Sequence, residues 1–402
     1  MEPFFFLPTL PLPISDFGWA ALVLLCAVAF GELTMRTLRL PRITGYVLLG
    51  TLLGQAVTQL YTPDILPLLR PLFEFAFGLL LFELGQRIDL GWLQRNPWLL
   101  ATSLAESLLA FASVGLLLFA LGVPTLVALI SAGIGAATGP AVVLGVCKDT
   151  HARGPVSERL QLLCALGSCY AFAALGIAYG WQHTASRSDD LFASLLHPAY
   201  LLVGSLLLGL IIAHVVLWVP ARLRPEHNSQ TLAAIALIIF SVALTSALQL
   251  SVAVSLLAAG VLSRTMDKRR RLQPMDFGLV GRLALIVVFI STGALLTPAA
   301  LQAAIVPAIA LIAARAVGKL IGIFAFATPC GLSYRKASLL AACMLPMSGA
   351  ALLWVDRTSV LWPSLGAQVA AIVLTALPLT ELLAPPLLQF ALRRADETRE
   401  AA

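Results

Sequence analysis

TLVALISAGIGAATGPAVVLGV, residues 125–146, is as apolar as a membrane-crossing helix and carries Thr138-Gly139-Pro140 near its middle. Proline withdraws a backbone donor and glycine admits unusual dihedrals, so a helix should unwind there and leave amides and carbonyls without intrahelical partners. In a bilayer such groups persist only where protein buries them or a water-filled cavity reaches them. A second stretch, ASLLAACMLPMSGAALLW at 337–354, repeats the device with Pro346-Met347-Ser348-Gly349. One such break is an ordinary proline kink. Two at corresponding places in two halves of a chain point to a transporter whose binding site lies near the midplane.

The rest of the chain supports a membrane setting. Of 402 residues, 59% are hydrophobic and 11% charged, and the mean hydropathy is +0.93. A soluble protein of this length would carry roughly 25% charged residues. With about 20 apolar residues needed per crossing, spans are predicted near 18–34, 43–60, 65–84, 97–121, 123–147, 157–181, 192–218, 229–248, 250–263, 280–297, 298–328, 333–355 and 364–391, thirteen in all. Alternate connections then collect 21 of the 26 Lys and Arg. The positive-inside rule puts the N-terminus outside and the C-terminus in the cytoplasm, with the protein multi-pass in the cell (inner) membrane. This sorting also excludes nucleic acid as the reason for the net charge of +6. The start of the chain lacks a basic n-region, so the first helix is expected to stay in the protein.

The fold expected is therefore an all-α membrane protein of about thirteen helices, a single domain over 1–402. Repeat one covers about 18–181, a linker helix about 192–218, repeat two about 229–391, and a short cytoplasmic tail 392–402. Each break falls on the fifth helix of its half. Six helices plus one linker crossing invert the second half relative to the first.

Charges inside spans are costly and mark function. Arg315 lies near the centre of ALQAAIVPAIALIAARAVGKLIGIFAFA, with Lys319 one turn further on the same face. Lys319 either faces the interior or snorkels to the headgroups. Arg315 is too central to snorkel and should find a counter-ion. Glu106 in ATSLAESLLAFA and Glu381 in ALPLTELLAPPLL are the candidates, as counter-ion or as titratable ligand. Glu32 and Glu83, near helix ends, read as solvated, Glu74 as a structural partner of Arg70, and His214 as a lone, satisfied histidine. The six cysteines read as buried thiols with neither metal-site nor disulfide spacing. No His/Cys cluster, phosphate-cradling loop or enzymatic constellation is present, so no metal, cofactor or catalytic residue is expected.

Four segments resemble the monovalent cation:proton antiporter superfamily, in the branch of bacterial sodium/proton antiporters and glutathione-gated potassium efflux systems. They are LRLPRITGYVLLGTLLGQ (38–55), FEFAFGLLLFELGQRIDL (73–90), ATGPAVVLGVCKDTHARGPVSERL (137–160) and ARAVGKLIG (314–322). The resemblance implies a core domain, a panel domain, a homodimer in the lipid bilayer, and exchange of Na+ or K+ for protons. In that family the helix after T-x-P-A-V-V carries an acidic pair whose carboxylate binds cation and proton in turn. Here Gly167-Ser168 stand in its place. Arg315 matches the basic residue that answers the missing acid.

A serine hydroxyl cannot trade a proton for a cation near neutral pH, which leaves three readings. Glu106 or Glu381 has taken over the ion site; or the protein carries an anion or organic acid on the same fold; or it is a non-transporting regulatory membrane protein. The residues expected at the site are Thr138, Gly139, Pro140, Gly167, Ser168, Arg315, Lys319, Pro346, Ser348, Gly349, Glu106 and Glu381.

Overall fold

The computed structural model describes residues 16–54, 65–88, 90–186, 191–222, 227–267 and 277–398. Among them are sixteen α-helices and no strands. In chain order they are α1 (Asp16–Leu33, continued by a π-helical turn, Thr34–Leu38), α2 (Arg42–Leu53), α3 (Ile65–Gln86), α4 (Leu90–Arg95), α5 (Pro97–Ala120), α6 (Thr125–Ala136), α7 (Pro140–Asp149) and α8 (Pro155–Ser186). They continue as α9 (Leu191–Arg222), α10 (His227–Ala247), α11 (Val252–Met266), α12 (Gly278–Ala294), α13 (Pro298–Ala325), α14 (Tyr334–Cys343), α15 (Ala351–Leu361) and α16 (Pro363–Arg394). Six described helices are long and apolar enough to cross a bilayer by themselves. The predicted fifth and twelfth spans are each two half-helices, α6 with α7 and α14 with α15. The helices therefore interrupt where the Gly-Pro and Pro-Met-Ser-Gly stretches placed the breaks.

The helices pack as two bodies. In one, α13 lies along α5, and α6, α8, α14, α15 and α16 gather round them. In the other, α11 packs on α3 and α9, and α12 on α2 and α3. Glycine sets both close approaches. A Cβ at Gly260 would fall 2.3 Å from the Phe82 carbonyl oxygen, and one at Gly322 would fall 2.4 Å from the Glu106 Cα. Close backbone contact of this kind, through small residues, is how helices associate where lipid offers no hydrophobic gain.

Along one rim the bodies are joined by charge. Lys148 at the end of α7 meets Glu83 of α3 at 2.8 Å, and Arg42 of α2 meets Asp149 at 2.9 Å and Glu32 at 3.2 Å. Glu83 also takes Arg87 at 2.8 Å and is buried, so the expectation that it is solvated is corrected: a basic side chain from each body covers it. Of the cysteines, Cys147, Cys164 and Cys343 are buried, whereas Cys26 is exposed on α1 and Cys169 and Cys330 are half-buried. His214 lies exposed, its Nδ1 2.9 Å from the Leu210 carbonyl oxygen. The side chain of Arg70, the expected partner of Glu74, lies outside the described residues, as does Asp89; Glu74 accepts from Ser246 at 3.2 Å.

A contact absent from the sequence reading ties the tail to this rim. Glu397, just past α16, is buried and accepts from the Val156 and Ser157 amides at 2.7 and 2.8 Å, while its carbonyl accepts from the Arg153 amide at 2.9 Å. It caps the N-terminus of α8 from 240 residues away. Since a helix N-terminus favours an anion and a lost cap costs roughly 0.5–2 kcal/mol, Glu397→Ala should lower stability by about 1–2 kcal/mol. Unfolding of the purified protein in detergent measures this; an unchanged midpoint would show that the cap contributes nothing.

Candidate functional site

The backbone at 137–139 is extended between α6 and α7, and the break at 344–350 crosses it. The Gly139 amide donates to the Pro346 carbonyl at 3.0 Å, and Thr138 and Met347 form an antiparallel bridge. The freed backbone groups thus partly satisfy one another, as a dry interior requires. Glycine is needed at 139 because a Cβ there would stand 2.4 Å from the Met347 carbonyl oxygen. Pro140 opens α7, where its missing N–H costs nothing. Ser348 is buried and its hydroxyl accepts from the Ala350 amide at 3.3 Å, while Gly349 faces Val288 and Phe73.

Arg315 sits behind this crossing, fully buried. Its Nε donates to the Gly135 carbonyl at 2.5 Å, its Nη2 to the Ala137 and Pro346 carbonyls at 3.0 and 2.7 Å, and its Nη1 to the Leu345 carbonyl. All four acceptors lie at the C-terminal ends of α6 and α14, where a helix leaves carbonyls unpaired and its dipole is negative. A planar fork with five donors suits four convergent carbonyls. The expectation of a carboxylate counter-ion is therefore corrected: among the described residues neither Glu106, Glu381 nor any other carboxylate is ion-paired with Arg315. Two helix ends carry the compensating charge.

The acid that Arg315 does not use pairs with its neighbour. Lys319 Nζ lies 2.5 Å from Glu106 Oε2, and the two side chains are 1% and 0% exposed. Lys319 does not snorkel, because α13 is seated on α5 through Gly318 and Gly322. At those positions a Cβ would strike the Leu109 carbonyl oxygen and the Glu106 Cα at 2.5 and 2.4 Å. Glycines on either side of Lys319 thus bring its stem against the α5 backbone. Ser107 donates to Glu106 Oε1 at 2.8 Å.

The structure also places Glu106 relative to the missing acids. A Cβ built at Gly167 would lie 3.5 Å from both Glu106 Oε1 and Ser107 Oγ, which is ordinary contact. The carboxylate from α5 thus reaches the point on α8 where the resemblance had led us to expect an acidic side chain. Ser168 turns its hydroxyl to its own helix, donating to the Cys164 carbonyl at 3.0 Å. Cys164 Sγ meets the Thr138 carbonyl at 3.3 Å, so α8 is also tied to the first break. The Thr138 hydroxyl is buried without a hydrogen-bond partner among the described residues.

Eleven of the twelve expected residues therefore belong to two adjoining groups, the crossing held by Arg315 and the Glu106–Lys319 pair beside Gly167 and Ser168. Glu381 does not join them. It is buried on α16 within reach of the Thr292 hydroxyl of α12. Ser107, missed in the sequence, follows Glu106 directly, but its adjacency carries no signal of orientation.

The sequence profile described as "Sodium/hydrogen exchanger, transmembrane" matches residues 20–394. A search of curated proteins finds none that matches. Among solved structures, the sodium proton antiporter MjNhaP1 from Methanocaldococcus jannaschii at pH 8 superposes with a TM-score of 0.73 at 16% identity, covering 94% of this chain and 98% of that one. An electron-microscopy structure of the same antiporter gives 0.76 at 16% identity, covering 96% and 99%. At this identity the likeness establishes the shared fold.

Proposed function

The chain belongs to the sodium/hydrogen exchanger family, and from that premise we propose that it is a secondary active transporter exchanging Na+ or K+ for protons, with Glu106 and Lys319 as the exchange site. The observation that carries this reading is the buried Glu106–Lys319 pair standing beside Gly167. An exchanger needs a carboxylate that can hold a cation and a group that gives up a proton when it does. Glu106 supplies the first, from α5 instead of α8.

In the empty site the Lys319 ammonium neutralises Glu106. An incoming cation competes for the same oxygens, with the Ser107 hydroxyl oxygen as a further donor. Once the cation holds the carboxylate, Lys319 is left among positive charges, the cation and Arg315, in a dry interior. Both desolvation and like charge then favour loss of its proton. The pair alone swaps one proton for one cation. Arg315 takes no part in the swap; it holds the crossing in shape, with the positive N-terminal ends of α7 and α15 on the far side of the breaks.

The basic lining that an anion carrier requires is used up here, by carbonyls at Arg315 and by Glu106 at Lys319. The remainder of the assignment rests on the family and on the distribution of charge. The protein is a multi-pass protein of the cell (inner) membrane with its N-terminus outside, and works as a homodimer in the lipid bilayer. Two inverted repeats, about 18–181 and 229–391, flank the linker helix at 192–218. Purified protein in liposomes tests the function: with Na+, K+ or Li+ presented against an imposed pH gradient, at least one cation should drive proton movement. Absence of cation-dependent proton movement from about pH 6 to 9 would overturn the proposal.

A further inference from the structure

Glu381 stands apart from the exchange site, in the contact between the two helix bodies, and nothing else in the structure accounts for it. It lies on α16, which packs on α13, α14, α15, α6 and α7 in its own body and on α2 and α12 in the other. It is 1% exposed, and Oε2 has no hydrogen-bond partner among the described residues. The neighbour it reaches across the body boundary is the Thr292 hydroxyl. That hydroxyl also lies within hydrogen-bond distance of carbonyls of its own helix, Val288 at 3.0 Å and Phe289 at 3.1 Å. A carboxyl group buried here with no cation beside it and Oε2 unpartnered is accommodated as the neutral, protonated acid, whose proton can be shared with the Thr292 oxygen.

Among the described residues no cation pairs with it. On α13, Arg315 is bonded to four carbonyls and Lys319 to Glu106. On α2, Arg42 holds Asp149 and Glu32, and on α7, Lys148 holds Glu83. Arg357 of α15 and Arg335 of α14 donate to the Gln249 and Arg394 carbonyls near helix ends. The remaining charged or titratable groups on these helices are Tyr334 and Lys336 on α14, Asp356 on α15, Arg282 on α12, Tyr46 on α2, Arg393 and Arg394 at the end of α16, and the thiols Cys147 and Cys343. None of them is ion-paired with Glu381 among the described residues. α6 carries no charge.

We propose that Glu381 is a second proton-binding site, separate from the Glu106–Lys319 pair, and that its protonated form is the one that lets α16 seat against α12. A buried carboxylate with neither a cation nor a donor is costly, so the ionised form favours separation of the two bodies, where water reaches it. Proton occupancy at Glu381 thus sets how firmly the bodies are seated, and deprotonation releases them. This rests on reading the protein as a proton-coupled exchanger, but the group's protonation can be followed without transport.

Two experiments test it. The first labels wild-type protein in liposomes with an apolar carbodiimide, which adds to protonated carboxyl groups, and reads Glu381 by mass spectrometry. Labelling should be present at low pH and fall progressively as pH rises; no labelling at any pH, or labelling independent of pH, would overturn the proposal. The second compares cation-driven proton flux of wild type and Glu381→Gln, whose amide keeps the shape and donor capacity of the neutral acid. The wild-type rate should rise with pH through one more titration step than the variant's, so that Glu381→Gln matches wild type below that step and is slower by a constant factor above it. A variant profile superposing on wild type would overturn the proposal. Absence of flux in wild type would instead defeat the exchange reading, while the labelling result still decides the protonation of Glu381.

Discussion

Glu106→Gln should abolish cation-driven proton movement, with flux in liposomes falling to that of protein-free vesicles. The amide cannot balance a cation, and it leaves Lys319 buried without its anion. Breaking one side of a buried pair costs about 3–5 kcal/mol, so loss of transport alone could reflect misfolding. The double variant Glu106→Gln/Lys319→Met separates the two effects, since it removes both charges and restores an uncharged contact between α5 and α13. Its unfolding midpoint should return most of the way to wild type, with a coupling in the cycle of a few kcal/mol, while exchange stays absent. Exchange in the double variant would show that the pair is dispensable.

The second large effect is expected at the crossing. Arg315→Lys keeps the charge and loses the fork; one ammonium cannot serve the carbonyls of Gly135, Ala137, Leu345 and Pro346 together. With each unsatisfied buried carbonyl costing roughly 1–3 kcal/mol, the variant should lose about 3 kcal/mol or more, seen as a lower unfolding midpoint in detergent. Arg315→Ala, which strands the carbonyls of Gly135, Ala137 and Leu345 and leaves that of Pro346 with the Gly139 amide, should fail to accumulate as folded protein. A wild-type midpoint for Arg315→Lys would mean that charge alone, and not the geometry of the fork, holds the two helix ends.

These two predictions mark what the sequence carried and what it did not. The breaks at Thr138-Gly139-Pro140 and Pro346-Met347-Ser348-Gly349 were legible because proline and glycine act on the backbone locally, whatever surrounds them. The burial of Arg315 was legible for the same kind of reason, since an arginine in the middle of an apolar span has few places to go. Its partners were not. They are backbone carbonyls, which every residue has and no residue type announces, so a search for a counter-ion turned to the nearest acids. Glu106 stood in the sequence as a counter-ion to Arg315 or a titratable ligand; it does not pair with Arg315, and what pairs it with Lys319 is the seating of Gly318 and Gly322 on α5. Those glycines stand in the sequence as a small-residue stripe around the lysine, but such a stripe does not say which helix it receives. Glu397 stood in the sequence only as part of a short cytoplasmic tail, because a cap supplied from the far end of the chain leaves no local pattern.

The loss of the acidic pair at Gly167-Ser168 was visible from the sequence, and the structure changes its meaning. A glycine at 167 leaves the space into which Glu106 and Ser107 turn their polar ends. On this account the carboxylate is supplied by α5 while its surroundings are kept.

In the proposed exchange, Glu106 and Lys319 trade a cation for a proton. The most direct measurement adds the transported cation to purified protein in weakly buffered detergent solution and counts the protons released. The account predicts one proton per cation bound from the wild type and none from Glu106→Gln. Cation binding without proton release in the wild type, or release undiminished in the variant, would contradict it.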